Sequence, residues 1–120
     1  YVCICAPSHP FPPINVLRNR LNPRRSVIDG YRTYIANQFE ADWNALEAGR
    51  AYAGAGADLL LFYDKGDKFV RHEEGDRILQ LCPGAHLIKT ASYGHMKVLE
   101  VPELFEAVGR FLRAELRSPL

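Results

Sequence analysis

Three runs along the chain predict strands. The most continuous apolar run, residues 59–63, contains no charged side chain and is typical of a strand that helices cover on both faces. Residues 1–6 form another apolar run that predicts a buried strand, and residues 85–90 are predicted as the third strand. Each run ends in residues that favour turns, with Pro7 after the first run, residues 64–67 after the second and residues 92–95 after the third.

Apolar residues at nearly helical spacing predict a long helix through residues 31–51. These positions are Ile35, Phe39, Trp43 and Leu46. Residues 26–29 resemble a capping-box helix entry at Ser26, with Asp in place of the usual Glu. Upstream, repeated prolines predict that residues 7–13 lack regular structure, and residues 14–21 are expected to form a short helix or an irregular excursion.

Two shorter amphipathic helices are predicted after the second and third strands. Residues 71–82 are expected to pack inward through Ile78, Leu81 and Cys82, with Glu73 and Glu74 near the positive end of the helix. Pro102 suits the first turn of the last helix. The predicted buried stripe of that helix is Leu104, Phe105, Val108, Phe111 and Leu112, and its predicted water-facing residues are Glu103, Glu106, Arg110 and Arg113.

This alternation of strands and helices predicts an α/β fold with a parallel sheet of about three strands and crossover helices. A chain of 120 residues forms one domain or part of one. We divide it into residues 11–57, a helical excursion, and residues 58–120, where strand and helix alternate. Because the chain opens inside a central-strand sequence and its only methionine is Met96, we expect further residues before Tyr1.

Composition narrows the function classes. A net charge of +1 gives no support for binding to nucleic acid or to an anionic membrane. No apolar run approaches the roughly 20 residues of a membrane span, and no leader sequence is recognisable, so we predict a cytoplasmic protein. Cys3 and Cys5 are expected on one face of the first strand, and together with Cys82 they are interpreted as reduced thiols. A metal site or a disulfide is the less favoured interpretation of these cysteines.

Polar residues after the second and third strands carry the main functional signal. Asp67 follows the second strand and His95 follows the third. Neighbouring parallel strands end at the same edge of a sheet, where open α/β sheets place their reacting groups. A histidine accepts a proton from a hydroxyl group near neutral pH, and a carboxylate behind it fixes the tautomer. Asp64 competes with Asp67 for the role of the acid, and Gly94 gives the backbone before His95 freedom to turn.

These two residues belong to a longer pattern. An apolar strand leads into residues 63–67, Tyr-Asp-Lys-Gly-Asp, and a Pro-Gly turn and a strand lead into residues 92–95, Ser-Tyr-Gly-His. Over residues 58–112 this order resembles the carboxyl-terminal part of an α/β-hydrolase, where the corresponding motifs are His-Gly-x-x-Asp and Gly-x-Gly-His. The resemblance implies that Asp67 is the acid and His95 the base of a catalytic triad. It also implies that residues 11–57 stand where the family inserts its variable cap.

The chain departs from the family pattern in three places. Tyr63 and Asp64 replace His-Gly, and Ser92 replaces a glycine. We favour Asp67 over Asp64 because Asp67 matches the last position of the motif. The third departure is the lack of a Gly-x-Ser-x-Gly motif, the turn that carries the nucleophilic serine and one oxyanion-hole donor. In family order that motif precedes the acid and the base, so the resemblance implies a nucleophile upstream of Tyr1.

These observations predict a serine hydrolase that acts on esters or related acyl bonds of small molecules. We expect no metal and no organic cofactor, because hydrolysis needs only water after the acyl-enzyme forms. The alternative is a non-catalytic half-domain or degenerate hydrolase that binds a ligand or a partner chain. Such a chain would use an open sheet edge to pair with an upstream fragment or with a second copy of itself. A third option is another hydrolytic chemistry on this scaffold, such as dehalogenation by a carboxylate nucleophile.

Other candidate residues have simpler interpretations. Ser8 lacks a glycine elbow and is interpreted as a loop serine, and His9 is a weak candidate for lining the cleft. His72 and His86 are expected at the surface. Four arginines are interpreted as a solvated cap surface, with binding of an anion or substrate carboxylate as the minority option; they are Arg18, Arg20, Arg24 and Arg25. Three aromatic residues are interpreted as a packing stripe rather than an acyl pocket, namely Tyr34, Phe39 and Trp43.

Overall fold

A computed structural model describes residues 1–10 and 12–115, and Phe11 and residues 116–120 lie outside the described residues. The described strands form one parallel sheet in the order β1 (Val2–Ile4), β2 (Leu60–Asp64) and β3 (His86–Thr90). The helices are α1 (Pro12–Leu21), α2 (Arg25–Gln38), α3 (Ala48–Ala55), α4 (Glu73–Leu81) and α5 (Pro102–Leu112), with short 3₁₀ helices at Trp43–Leu46 and Lys97–Glu100. The predicted α/β class and three-stranded parallel sheet are confirmed.

Strand β2 is the centre of the sheet, and all five of its residues are buried. In register, Phe62 lies between Ile4 of β1 and Ile88 of β3. A strand that is hydrogen bonded on both edges and covered on both faces has no side that meets water, which explains its continuous apolar sequence. Only the last residue, Asp64, brings a charge into this buried position.

Two apolar cores lie on the two faces of the sheet because successive side chains of a strand point in opposite directions. On one face Leu61 and Tyr63 of β2 pack with Ile78 of α4. On the other face Phe62 packs with Leu104 and Ala107 of α5. The sheet is therefore a middle layer between helices.

The two amino-terminal cysteines lie in different cores. Cys3 belongs to the core that contains α4, whereas Cys5 belongs to the core that contains α5. The prediction that both cysteines share one face is wrong because β1 ends at Ile4 and Cys5 has a φ of +47°. The left-handed backbone breaks the two-residue alternation that the prediction assumed.

The helix predicted over residues 71–82 is α4, and its first turn carries three acidic residues, as the dipole argument expects for Glu73 and Glu74. Gly75 lies against Tyr63, and a Cβ atom at Gly75 would lie 2.6 Å from Cδ2 of that ring. Only glycine therefore allows α4 to approach β2 this closely. Ile78 is fully buried, and Leu81 and Cys82 are half-buried.

The long helix predicted over residues 31–51 is wrong. Helix α2 ends at Gln38, and Glu40 has a φ of +52°, so the chain turns before the 3₁₀ helix at Trp43–Leu46 and α3. A left-handed residue commonly ends a helix, and the apolar spacing across the turn is a coincidence of sequence rather than one continuous face. Tyr34 and Phe39 are consequently exposed, so the packing stripe predicted for them is also wrong.

The helix entries near the prolines and Ser26 differ from prediction. Helix α1 begins at Pro12, inside the segment 7–13 that was expected to lack regular structure, because the first helical turn does not need the N–H that proline lacks. Residues 14–21 are helical within α1. The cap of α2 is Arg24 without a side-chain cap hydrogen bond, so the predicted capping box at Ser26 is wrong.

The last helix is confirmed from Pro102, but its buried stripe is narrower than predicted. Leu104 and Ala107 are buried, whereas Phe105 and Leu112 are exposed. At about 100° per residue, Phe105 and Leu112 lie about a third of a turn away from the centre of the face that Leu104 and Ala107 form. No helix in the described part of the chain is long and apolar enough to cross a membrane.

Candidate active site

The side chains of Asp67 and His95 meet at the carboxyl edge of the sheet. Oδ2 of Asp67 lies 2.7 Å from Nδ1 of His95. The Asp67 side chain is 0% exposed, whereas the His95 side chain is 33% exposed. Within residues 1–10 and 12–115, no hydrogen-bond partner contacts Nε2 of His95. A buried carboxylate therefore holds one nitrogen of an imidazole whose other nitrogen is open to a reacting group.

Backbone groups fix the direction of the Asp67 carboxylate. Its Oδ1 accepts hydrogen bonds from the N–H groups of Phe69 at 2.8 Å and Val70 at 2.9 Å. This is a turn in which an aspartate binds the backbone two and three residues further along. Because Oδ1 is engaged in this way, Oδ2 faces His95. The ring of Phe69 lies 5.6 Å from the His95 ring, between centroids.

Asp64 has a different set of partners. Its Oδ1 accepts hydrogen bonds from the Thr90 hydroxyl at 2.6 Å and from the Tyr93 N–H at 3.0 Å. Its Oδ2 accepts hydrogen bonds from the N–H groups of Gly66 and Gly94, both at 2.8 Å. Asp64 therefore ties the loop after β2 to the loop after β3. The geometry favours Asp67 over Asp64 as the partner of His95 and makes Asp64 the residue that positions the histidine loop.

These hydrogen bonds also control the ionisation of Asp64. Burial alone raises the pKa of a carboxyl group. The hydroxyl of Thr90 and the N–H groups of Gly94, Tyr93 and Gly66 outweigh that effect and hold the pKa of Asp64 below its ordinary value. The carboxylate therefore stays charged at neutral pH and keeps all four of its donors.

Two glycines allow the loops to approach each other. Gly94 has a φ of +88°, so the backbone freedom predicted before His95 is confirmed. A Cβ atom at Gly66 would lie 3.0 Å from both Oδ2 of Asp64 and Cα of Ser92. The loop after β2 therefore packs against the backbone of the loop after β3. This contact brings Asp67 and His95 within hydrogen-bond distance.

Cys5 is a neighbour of this pair that the sequence did not indicate. Ligand atoms of Cys5, Asp67 and His95 all lie within 4.8 Å of one another. Burial raises the pKa of the Cys5 thiol to about 11, with further increases from the charge and the hydrogen bond of Asp67. Nucleophilic attack requires a thiolate, so a protonated thiol that faces the carboxylate does not suit that role. We interpret Cys5 as a packing residue beneath Asp67.

Ser8 and His9 lie in a buried cluster with Glu74. Oε2 of Glu74 accepts hydrogen bonds from the N–H group of Ser8 at 2.9 Å and from its hydroxyl. Oγ of Ser8 lies 3.2 Å from Nδ1 of His9, whose ring stacks on Trp43 at 5.2 Å. Burial lowers the pKa of His9. Because Ser8 is fully buried, it remains a loop serine, and His9 packs inside the protein rather than lining an open cleft.

The two remaining histidines are half-buried rather than simply at the surface, as they were predicted to be. Nδ1 of His72 lies 2.7 Å from Nζ of Lys89. The ring of His86 lies 6.2 Å from that of Phe111, at a steep angle. Neither histidine contacts Asp67 or His95 in the described residues.

The arginines predicted as one cluster are separated in the structure. Arg24 and Arg25 are exposed at the start of α2, and Arg20 borders an apolar groove between α1 and α2. Arg18 instead lines a cavity beside the Asp67 loop. All four arginines are exposed, as the interpretation as a solvated surface predicts, and Arg18 differs from the others only in that it also lines this cavity.

The geometry assembles a carboxylate and imidazole pair that is competent for proton transfer, together with a second carboxylate that supports it. No protein-family model, curated protein or solved structure matches this chain.

Proposed function

We propose that this chain is the carboxyl-terminal portion of a serine hydrolase of the α/β-hydrolase type, acting on esters or related acyl bonds. The observation that carries the proposal is the 2.7 Å contact between Asp67 and His95 at the carboxyl edge of a parallel sheet. The burial of Asp67 and the partial exposure of His95 support these roles, because the base must reach a substrate and its orienting acid must not.

The proposed reaction proceeds through an acyl-enzyme. A serine upstream of Tyr1 attacks the carbonyl carbon while Nε2 of His95 takes the hydroxyl proton. His95 then gives this proton to the departing alcohol, and a water molecule, activated by the same nitrogen, releases the acid and restores the serine. Throughout, Asp67 accepts the Nδ1–H hydrogen bond and stabilises the imidazolium.

Replacement of His95 tests this proposal. In protein that includes the residues preceding Tyr1, His95→Ala is expected to lower the rate of 4-nitrophenyl acetate hydrolysis by about 10²–10⁴-fold, the usual contribution of a general base. His72→Ala is the matched control, because His72 does not contact the site. If the His95→Ala variant hydrolysed the ester at the original rate, the proposed function would be wrong.

The alternative, a chain that binds a partner rather than a substrate, is favoured by one observation. Within the described sheet β1 pairs only with β2, and its outer edge, including Val2, is partly exposed. An unpaired strand edge readily accepts another strand. A fluorophosphonate probe distinguishes the two functions, because it labels only an activated serine. Labelling that depends on His95 supports the hydrolase. If the longer protein that the proposed function requires is not labelled, the result supports a chain that binds a partner.

A further inference from the structure

A group of arginines beside the Asp67 loop has no role in the proposed proton transfers. These side chains line a cavity of about 200 Å³, which we call the arginine cavity. Its charged lining residues are Arg18, Arg32, Arg71 and Glu74. Three positive charges against one negative charge give this lining a formal net charge of +2. A concave site with this charge attracts anions.

The arginines come from three separate segments, which is why the sequence did not group them. Arg18 lies on α1, Arg32 on α2, and Arg71 precedes α4. In the described part of the chain Arg18 forms no ion pair, and Arg71 has only an exposed one, 3.8 Å from Glu73. Exposed ion pairs of this kind contribute little, so these two guanidinium groups are available to a ligand.

The other two charged residues are fixed in place. The guanidinium carbon of Arg32 lies 5.8 Å from the centre of the Trp43 ring, and its Nη1 lies 3.7 Å from Asp29. Oε2 of Glu74 is engaged by the N–H and hydroxyl groups of Ser8. The Arg32 side chain is therefore held in position at the cavity before any ligand binds. Glu74 serves mainly to hold the loop that contains Ser8.

The arginine cavity lies next to the candidate catalytic pair. Val70 lines the cavity, and its N–H group binds Asp67. Asn15 also lines it and donates a hydrogen bond to the carbonyl of Phe69 at 3.2 Å, while the ring of Phe69 lies against His95. One short loop therefore separates the cavity from the imidazole.

We propose that the arginine cavity binds a small oxyanion, a carboxylate or phosphate group carried by the substrate. Guanidinium groups recognise both groups through paired N–H donors. The cavity is smaller than the roughly 300–1,000 Å³ of sites for drug-sized ligands, which suits an anionic group rather than a whole large ligand. This substrate assignment rests on the proposed function, whereas the binding of the anion itself does not.

Binding is tested by titrating the chain with succinate and, separately, with inorganic phosphate at low ionic strength, by calorimetry. We expect saturable binding of at least one of these anions, weakened about tenfold or more in Arg18→Gln and in Arg71→Gln through loss of a charge-assisted contact. Arg25→Gln is the matched control, since its side chain is 94% exposed and lies outside the cavity. No saturable binding, or equal affinities in all variants, would overturn the proposal.

Two further measurements separate this proposal from the proposed function. The His95→Ala variant should bind the anion with unchanged affinity. Anion binding by the arginine cavity can therefore be supported even if the protein does not hydrolyse esters. In protein that hydrolyses esters, the mono-4-nitrophenyl ester of succinate should have a higher kcat/KM than neutral 4-nitrophenyl butyrate, and Arg18→Gln should remove that preference. Equal kcat/KM for the two esters in the unmodified protein would overturn the substrate assignment.

Discussion

At the scale of single residues, two carboxylates three positions apart at the same edge of the sheet have separate tasks. Asp67 is turned toward His95 by two backbone N–H groups, and Asp64 is surrounded by four donors from two loops. The sequence predicted the pair Asp67 and His95 because both follow parallel strands. It left Asp64 as a competitor because three of the four donors that surround Asp64 come from residues 26 to 30 positions away.

Asp64 is predicted to stabilise the fold in a pH-dependent way. Because its folded-state pKa is depressed, this stabilisation is complete above the ordinary value of 3.8 and is lost as the pH falls from there through the folded-state pKa. Asp64→Asn is expected to lower the free energy of unfolding by about 2 kcal/mol near neutral pH, since its amide cannot accept all four hydrogen bonds.

The measurement is urea unfolding of both proteins from about pH 6 to pH 2. The stability difference should shrink toward the acid end, where Asp64 in the unmodified protein also becomes neutral. A difference that is constant over this range would contradict the role assigned to the charge.

Cys5 is predicted to be a chemically inert thiol. Its pKa of about 11 and its burial leave little thiolate at neutral pH. In the folded protein, iodoacetamide at about pH 8 should modify Cys5 far more slowly than it does after denaturation, as followed by peptide mass spectrometry. Rapid alkylation of Cys5 in the folded protein would point instead to an activated thiol beside His95.

At the scale of secondary-structure elements, local patterns predicted the strands and the last two helices, and failed where the backbone turns. Cys5 and Glu40 adopt a positive φ although neither is glycine, so their residue types do not predict the turns at these positions. The break between α2 and α3 follows from one such turn. Helical periodicity alone does not detect it, because the apolar spacing continues across the break.

The close packing of α4 on β2 yields a test with a matched control. Gly75→Ala is expected to destabilise the fold by about 1–3 kcal/mol, because its new methyl group would overlap the Tyr63 ring. Gly54→Ala, in α3, meets nothing within 4 Å and is expected to stabilise the fold by about 0.5–1 kcal/mol through helix propensity. Both changes in the free energy of unfolding are to be measured by chemical denaturation. Equal effects of the two substitutions would contradict the packing described for Gly75.

At the scale of the whole molecule, the strand order explains why the sequence predicted the Asp67 and His95 pair at the edge of the sheet but did not predict the arginine cavity. Three parallel strands in sequential order place the ends of β2 and β3 side by side, so the closeness of the two loops that carry Asp67 and His95 follows from the topology. The arginine cavity and the cluster of Ser8, His9 and Glu74 depend instead on how the helical excursion folds back on the sheet. No local sequence pattern encodes that arrangement.

The most direct test of the central claim compares Asp67→Asn with Asp64→Asn in the longer protein that the proposed function requires. Asp67→Asn should lower kcat for 4-nitrophenyl acetate by up to about 10⁴-fold with little change in fold stability, because the imidazole loses its orienting partner. Asp64→Asn should reduce stability more and kcat less. An Asp67→Asn variant with the original kcat, or an Asp64→Asn variant with the larger loss of kcat at temperatures where both proteins are folded, would contradict the pairing of Asp67 with His95.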